Sequence, residues 1–314
     1  MLSQEEADSF LTNILKFSNW REVLEEDKLK FLRVLVPYYA HNLYFQNVSM
    51  NALPSAERRV PTAKDIISAG LSGIGGACVT QNTFLTWLLQ AIGFNSYTVS
   101  AFFHGPRYMP DNHVICIVEF SLEEKYLLEL GVALPFAEPV PMHKLPYTQI
   151  AAGFRYRYKE ADDKKGVYYR VQMDGALYGG EFEDKNMEYV RYEFTMTPRP
   201  LEFFHDPLVG IFITVDTSIF LQQHPFMFRY FEEDESGTLV DEPNINGDRK
   251  WILIRGVSVL IGTDNGKNVH HYNNYDEVKP VILKYFPKFR KEDLERSLER
   301  WNATVAKHGY FNAR

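Results

Sequence analysis

Gly75-Gly76-Ala77-Cys78 stands immediately before the strongest apolar helical pattern in the chain. Two glycines permit backbone torsions closed to other residues, so they can form a tight entry turn. Cys78 then falls in the first turn of the helix, where the N-terminal partial positive charge favours thiolate over thiol. The thiolate is the nucleophile, so covalent catalysis needs a cysteine placed in this way. A free cysteine is more often a small buried hydrophobe, and spacing alone does not separate the two readings. A nucleophile also needs a base, and the base needs a group that orients it. His113 opens an apolar run after the polar Asp111-Asn112, and Glu129 interrupts the apolar Tyr126-Leu127-Leu128-Glu129-Leu130. A half-buried carboxylate costs several kcal/mol unless it is paired.

These two residues can meet only under one condition. The runs that hold them are separated by the short Ser121–Glu124 turn and should form a hairpin. An odd loop pairs Phe120 with Glu124 and sets Glu129 opposite Ile115, on the face of His113 and diagonal to it. An even loop without a bulge would put them on opposite faces.

The elements that must position these groups follow from periodicity. Ser3-Gln4-Glu5-Glu6 fits a capping box ahead of Phe10, Leu11, Ile14 and Leu15, and Asp27 can start a second helix bearing Leu29, Phe31, Leu32 and Leu35. Residues 52–63 read as a loop. A helix is expected from about Val79 to Ile92, with Gly93 at the left-handed C-terminal position. After Gly93 the pattern turns to strands: Ser96–Phe103, His113–Phe120, Lys125–Leu130, Tyr168–Met173 and Tyr189–Thr197. The run Val114-Ile115-Cys116-Ile117-Val118 does not alternate and reads as buried on both faces, which makes Cys116 core. A third segment combines a helix at Asp216–Phe220, an acidic turn at Glu232–Gly237, strands at Trp251–Val257 and Val259–Thr263, and helices at Asp276–Tyr285 and Arg290–Lys307. The expected division is 1–93 helical, 94–200 a β-barrel and 201–314 an α/β lid.

Composition narrows the class. The chain has 314 residues, 45% of them hydrophobic, with 34 Lys+Arg against 41 Asp+Glu and a net charge of −7. That argues against a nucleic-acid surface, which needs a clustered basic face. No apolar window is long enough to span a membrane, and the N-terminus lacks a secretory pattern. Two cysteines cannot make a disulfide framework, and a Cys78–Cys116 bond would require Cα atoms within about 7 Å. His270 and His271 are adjacent on a strand pattern and point apart, so no metal is expected. A cytoplasmic protein is the expectation.

Here the residues match a family. Ile74-Gly75-Gly76-Ala77-Cys78-Val79-Thr80-Gln81-Asn82, then Trp87 and Ile92-Gly93-Phe94, resembles the Arg-Gly-Gly-x-Cys…Asn…Gly-Phe signature of arylamine N-acetyltransferases. His113 matches that family's catalytic histidine, and Tyr126-Leu127-Leu128-Glu129-Leu130-Gly131 resembles its Tyr-x-Val-Asp-x-Gly segment, whose aspartate completes a triad. His41–Asn47 looks like its Pro-Phe-Glu-Asn segment. Tyr192–Thr195, Pro198–Leu201 and His224-Pro225-Phe226 resemble its interdomain stretch. The resemblance implies an α+β fold on a transglutaminase-like cysteine-protease core: N-terminal helical bundle, central antiparallel β-barrel, C-terminal α/β lid. It also implies ping-pong transfer of acetyl from acetyl-CoA to an arylamine or hydrazine through acetyl-Cys78. His113 would be the base and Glu129 the orienter, with Phe45, Phe102 and Val132 at the acceptor. Ile74 and Gln46 replace the family's Arg and Glu, a joint change that leaves a neutral site. Arg107-Tyr108-Met109-Pro110 departs from the small residues usual near the cofactor. A cysteine amidase or amide synthase with a non-CoA donor, or a member that binds an aromatic ligand without turnover, remain the alternatives.

Overall fold

Local signals at the N-terminus build the helices that the sequence led us to expect. In the computed structural model, which describes residues 2–103, 110–173, 188–214, 219–245 and 247–310, α1 (Gln4–Ser9) is capped by Ser3. The Ser3 hydroxyl accepts from Glu6 N at 3.1 Å, and Glu6 Oε2 accepts from Ser3 N at 2.8 Å, so two otherwise orphaned donors are satisfied reciprocally. After α2 (Trp20–Glu26), Asp27 caps α3 (Lys28–Asn42) by accepting from Lys30 N at 2.8 Å. Two further helices lie before Cys78, α4 (Val48–Asn51) and α5 (Ala63–Leu71). The second was not anticipated, although Thr62 and Asp65 form its capping box.

Helix α6 (Cys78–Ala91) is more deeply set than its apolar stripe suggested. Eleven of its residues are buried, including the polar Thr80, Gln81, Asn82, Thr83 and Thr86. A helix whose polar face is also buried must find protein partners for that face, and these partners anchor the site. Gly93 follows with φ of +92°, which ends the helix in the left-handed region.

Among the described residues fourteen strands form two sheets. The first contains β2 (Asn95–Phe103), β3 (His113–Glu119), β4 (Lys125–Leu128), β5 (Val140–Pro141), β6 (Tyr147–Ala151), β7 (Phe154–Glu160), β8 (Tyr168–Gln172) and β9 (Tyr189–Pro198). Their order, β5-β4-β3-β2-β9-β8-β7-β6, is antiparallel throughout and forms a nearly closed barrel. Residues 114–118 of β3 are all buried, as the unbroken apolar run required. β6 and β7 were not anticipated: Phe154-Arg155-Tyr156-Arg157-Tyr158 alternates cleanly, but its cationic outer face masks the pattern.

The second sheet runs β1 (Phe45–Gln46), β10 (Phe226–Glu233), β12 (Lys250–Arg255), β13 (Ser258–Thr263) and β14 (Gly266–His271), with β11 (Leu239–Val240) paired to β10. The acidic stretch expected to turn from Glu232 therefore begins in strand, and the turn proper comes after Glu233. Between the sheets in sequence lie α7 (His205–Phe212) and α8 (Ile219–Gln222). Asp216 to Ser218, where the Asp216–Phe220 helix was expected to start, are outside the described residues, as are Arg107, Tyr108 and Met109. The chain ends with α9 (Tyr275–Tyr285) and α10 (Lys291–His308), close to the expected spans.

The central strands of the second sheet, β10 and β12, are buried on both faces, and alternation along them decides which side each residue serves. Phe228, Tyr230, Trp251 and Leu253 join the core shared with the barrel and α6. Met227, Phe231, Ile252 and Ile254 face Tyr275, Val278, Ile282, Leu298 and Trp301 of α9 and α10. Among the described residues no helix is long and apolar enough to cross a membrane.

Candidate active site

The turn before α6 fixes where the chemistry sits. Gly75 has φ of +69°, and a Cβ there would lie 2.1 Å from the Tyr44 carbonyl oxygen, so only glycine fits. Gly76 N donates to Tyr44 O at 3.0 Å, and Gln46 N donates to Gly76 O at 3.3 Å. Gln81 Nε2 reinforces both, donating to Tyr44 O at 2.9 Å and Gly76 O at 3.0 Å. The 44–46 segment is thereby clamped onto the turn, and Cys78 starts α6 at 7% exposure.

His113 opens β3, opposite Ala101 of β2. Its Nε2 lies 2.5 Å from Glu129 Oε2. The Cys78 side chain adjoins the same ring and, like Glu129, favours its charged form. With Nε2 committed to the carboxylate, Nδ1 is the nitrogen left for the thiol. Burial alone would lower the basicity of this ring, but the adjoining Glu129 and Cys78 outweigh it and hold His113 up, at about 10. The imidazolium is therefore the resting form at neutral pH.

Glu129 is fully buried. Its Oε1 accepts from Asn82 Nδ2 at 2.7 Å and from Gly131 N at 3.1 Å, so both carboxylate oxygens are hydrogen-bonded. The hairpin meets the condition that parity set. Phe120 N donates to Glu124 O at 2.8 Å, and the ladder ends where Cys116 pairs with Leu128; one further step of that register sets Glu129 opposite Ile115. The extra methylene of glutamate over aspartate is accommodated without a bulge in β3 or β4.

Two residues with no role in the sequence reading hold this arrangement. Asn82, one turn along α6 from Cys78, donates to Val114 O at 2.7 Å as well as to Glu129, and its Oδ1 accepts from Leu130 N at 3.1 Å. It ties the helix that Cys78 starts to both arms of the hairpin. Gly131 packs so closely that a Cβ would fall 2.9 Å from Cys78 Cα and 2.8 Å from Asn82 Nδ2. The i, i+4 spacing of Cys78 and Asn82 was the available signal, since it puts both on one helix face.

Around the ring, Phe103 stands edge-on to His113 at 5.9 Å and Tyr192 lies 5.4 Å away. Phe102, the residue expected at the acceptor, is adjacent to Phe103 on β2 and so projects to the other face, where the strand pairs with Glu193. Phe45 and Val132 do come together, lining a space of about 20 Å³ beside Glu129. Both cysteines are free. Cys116 is fully buried in β3, and burial pushes its thiol up to about 12 despite a hydrogen bond with Thr86. Gln46 makes a neutral, satisfied site where a charge pair was absent from the sequence: Nε2 donates to Ser49 Oγ at 2.8 Å and Oε1 accepts from Ser49 N at 3.0 Å. Ile74 packs against the core beneath α9 and α10.

A family model described as N-acetyltransferase matches residues 29–243, a span that includes Cys78, His113 and Glu129. No curated protein sequence matches the chain. Solved structures do. The arylamine N-acetyltransferase from Mycobacterium abscessus superposes with a TM-score of 0.69 at 16% identity, covering 96% of this chain and 95% of that one. The Salmonella typhimurium enzyme gives 0.65 at 12% identity, covering 91% and 98%. The Mycobacterium marinum enzyme in complex with CoA gives 0.63 at 17% identity, covering 87% and 93%. At these identities the likeness is one of fold.

Proposed function

The chain belongs to the arylamine N-acetyltransferase family, and from that premise we propose that it moves an acetyl group from acetyl-CoA to an arylamine or arylhydrazine through an acetyl-Cys78 intermediate. One observation carries the reading: a single imidazole bridges the thiol at a helix N-terminus and a fully buried, triply hydrogen-bonded carboxylate. Such a pair stores a thiolate beside an imidazolium and needs no external base to activate it.

In the first half-reaction the Cys78 thiolate attacks the thioester carbonyl. The tetrahedral intermediate collapses by breaking the bond to CoA sulfur, and CoA leaves with the proton from His113. In the second, the amine nitrogen attacks the acetyl carbonyl while His113, now neutral, takes the amine proton. The bond to Cys78 sulfur breaks, and the thiolate–imidazolium pair returns. Glu129 stays hydrogen-bonded to Nε2 and holds the ring with Nδ1 toward sulfur. The CoA bound to the Mycobacterium marinum relative supports this donor. Within the proposal, residues 1–93 carry the nucleophile, 94–200 the base and acid, and 201–314 form the lid. Phe45 and Val132 shape the acceptor side, and a reduced thiol fits a cytoplasmic setting.

Mass spectrometry after mixing with acetyl-CoA, without acceptor, tests this. An acetyl increment on the Cys78 peptide is expected, discharged by added arylamine and absent in Cys78→Ala. A thiol that alkylates readily yet never acquires acetyl would overturn the donor and move the reading to an amide synthase.

A further inference from the structure

A cleft of about 680 Å³ runs along the backbone of Gly75-Gly76-Ala77 but is lined by none of Cys78, His113 or Glu129. It lies between the 46–61 segment, α5 and the start of α10. In a chain of net charge −7, it gathers five cationic side chains, Arg58, Arg59, Lys288, Arg290 and Arg296, against three carboxylates, Glu57, Asp65 and Asp293.

The internal pairings leave positive charge over. Arg59 takes Asp65 at 2.8 Å. Arg290 and Arg296 share the single Asp293 at 2.6 and 2.8 Å. Arg58 Nε is buried with no hydrogen-bond partner among the described residues. Lys288 has an exposed stem, but its ammonium turns inward and donates to a neutral carbonyl, Asn42 O, at 2.7 Å. Burial of that ammonium and the nearby Arg229 guanidinium push Lys288 down to about 8, and burial pulls Arg58 down as well. Cations held in this way are stabilised by an incoming anion more than by water. Guanidinium forks suit phosphate oxygens, which they grip in pairs. A cleft of this size takes a nucleotide-sized molecule, not a bare ion.

We propose that this cleft binds a phosphate-bearing ligand of nucleotide size, at a site apart from the reacting groups, with Arg58, Arg296 and Lys288 on the phosphates. The phosphates can belong to the nucleotide end of an acyl-CoA or to a separate nucleotide, and the chemistry of recognition is the same. The proposal stands without the acetyl-transfer reading, because binding is its readout.

Calorimetric titration of ADP into the full-length protein tests it. Saturable binding is expected, weakened by salt and by about tenfold or more in Arg58→Gln and in Arg296→Gln. Arg58→Lys should fall between, because it keeps the charge and loses the fork. These positions are partly or largely exposed, and an unchanged melting temperature shows that the variants fold. If CoA displaces ADP and Arg58→Gln weakens both, the phosphates are those of the acyl donor. If CoA and ADP bind together, they belong to a second ligand. No saturable binding of ADP or inorganic pyrophosphate, or equal affinity in the folded arginine variants, would overturn the proposal.

Discussion

In the proposed mechanism Glu129, His113 and Cys78 act as one unit, and each has a separable test. Glu129→Gln keeps the shape and the Asn82 contact but cannot hold an imidazolium, so transfer should fall by about 10²–10⁴ in kcat. Glu129→Asp should recover part of that loss, and parallel steady-state assays of the two variants check both expectations. The two cysteines should differ just as sharply. Iodoacetamide at neutral pH should label Cys78 and leave Cys116 intact until the protein unfolds, because burial holds the Cys116 thiol at about 12. Peptide mapping after brief alkylation reads this directly, and equal labelling of both thiols would sink the assignment. The raised basicity of His113 has a stated sign. Its imidazolium contributes stability that is complete below about pH 6.5 and is lost as pH rises through about 10.

At the scale of elements, the site is a junction between α6 and the β3–β4 hairpin. Parity alone brought Glu129 to the face of His113, which the three-residue loop made readable in advance. What parity could not supply is the distance between helix and hairpin, and Asn82 sets that. Asn82→Ala removes hydrogen bonds to Val114 O, Glu129 Oε1 and Leu130 N together. It should cost about 2–4 kcal/mol of stability, since buried partners are left unsatisfied. It should also lower activity more than that loss of folded protein explains. Denaturant unfolding and an assay on the folded fraction separate the two effects. The same junction explains why α6 reads as amphipathic in sequence yet buries most of its polar residues. Gln81 and Asn82 bond to neighbouring backbone, a use that periodicity cannot distinguish from solvation.

Across the whole molecule, the second sheet draws the N-terminal helices into contact with the C-terminal ones. Arg229 of β10, itself buried, donates through Nη1 to Tyr285 O at 2.8 Å, through Nη2 to His41 O at 3.0 Å and through Nε to Tyr230 O at 2.9 Å. His41 is buried beside it, with Nε2 donating to Val240 O at 2.9 Å. Burial first, then Arg229, push His41 down to about 4. Neutral His41 therefore contributes fully above about pH 6.5, and that stability is lost as pH falls toward about 4. Melting temperatures across this range should fall less in His41→Gln than in the native protein, whereas parallel curves would show that other groups govern the acid limb.

The order of helices, barrel and mixed segment could be read from periods, and Cys78, His113 and Glu129 could be singled out from residue type, hairpin parity and family resemblance, because each rests on local chemistry or on near neighbours in the chain. The clamp of Tyr44–Gln46 on the Gly-Gly turn, the role of Asn82, the pairing of Phe45 with β10 and the choice of Phe103 over Phe102 beside His113 could not. Each joins segments that are distant in sequence, and no periodic signal encodes which of two faces a remote element will cover. The cationic cleft belongs to the same class, since Arg58 and Arg296 lie far apart in the chain and share a wall only once it has folded.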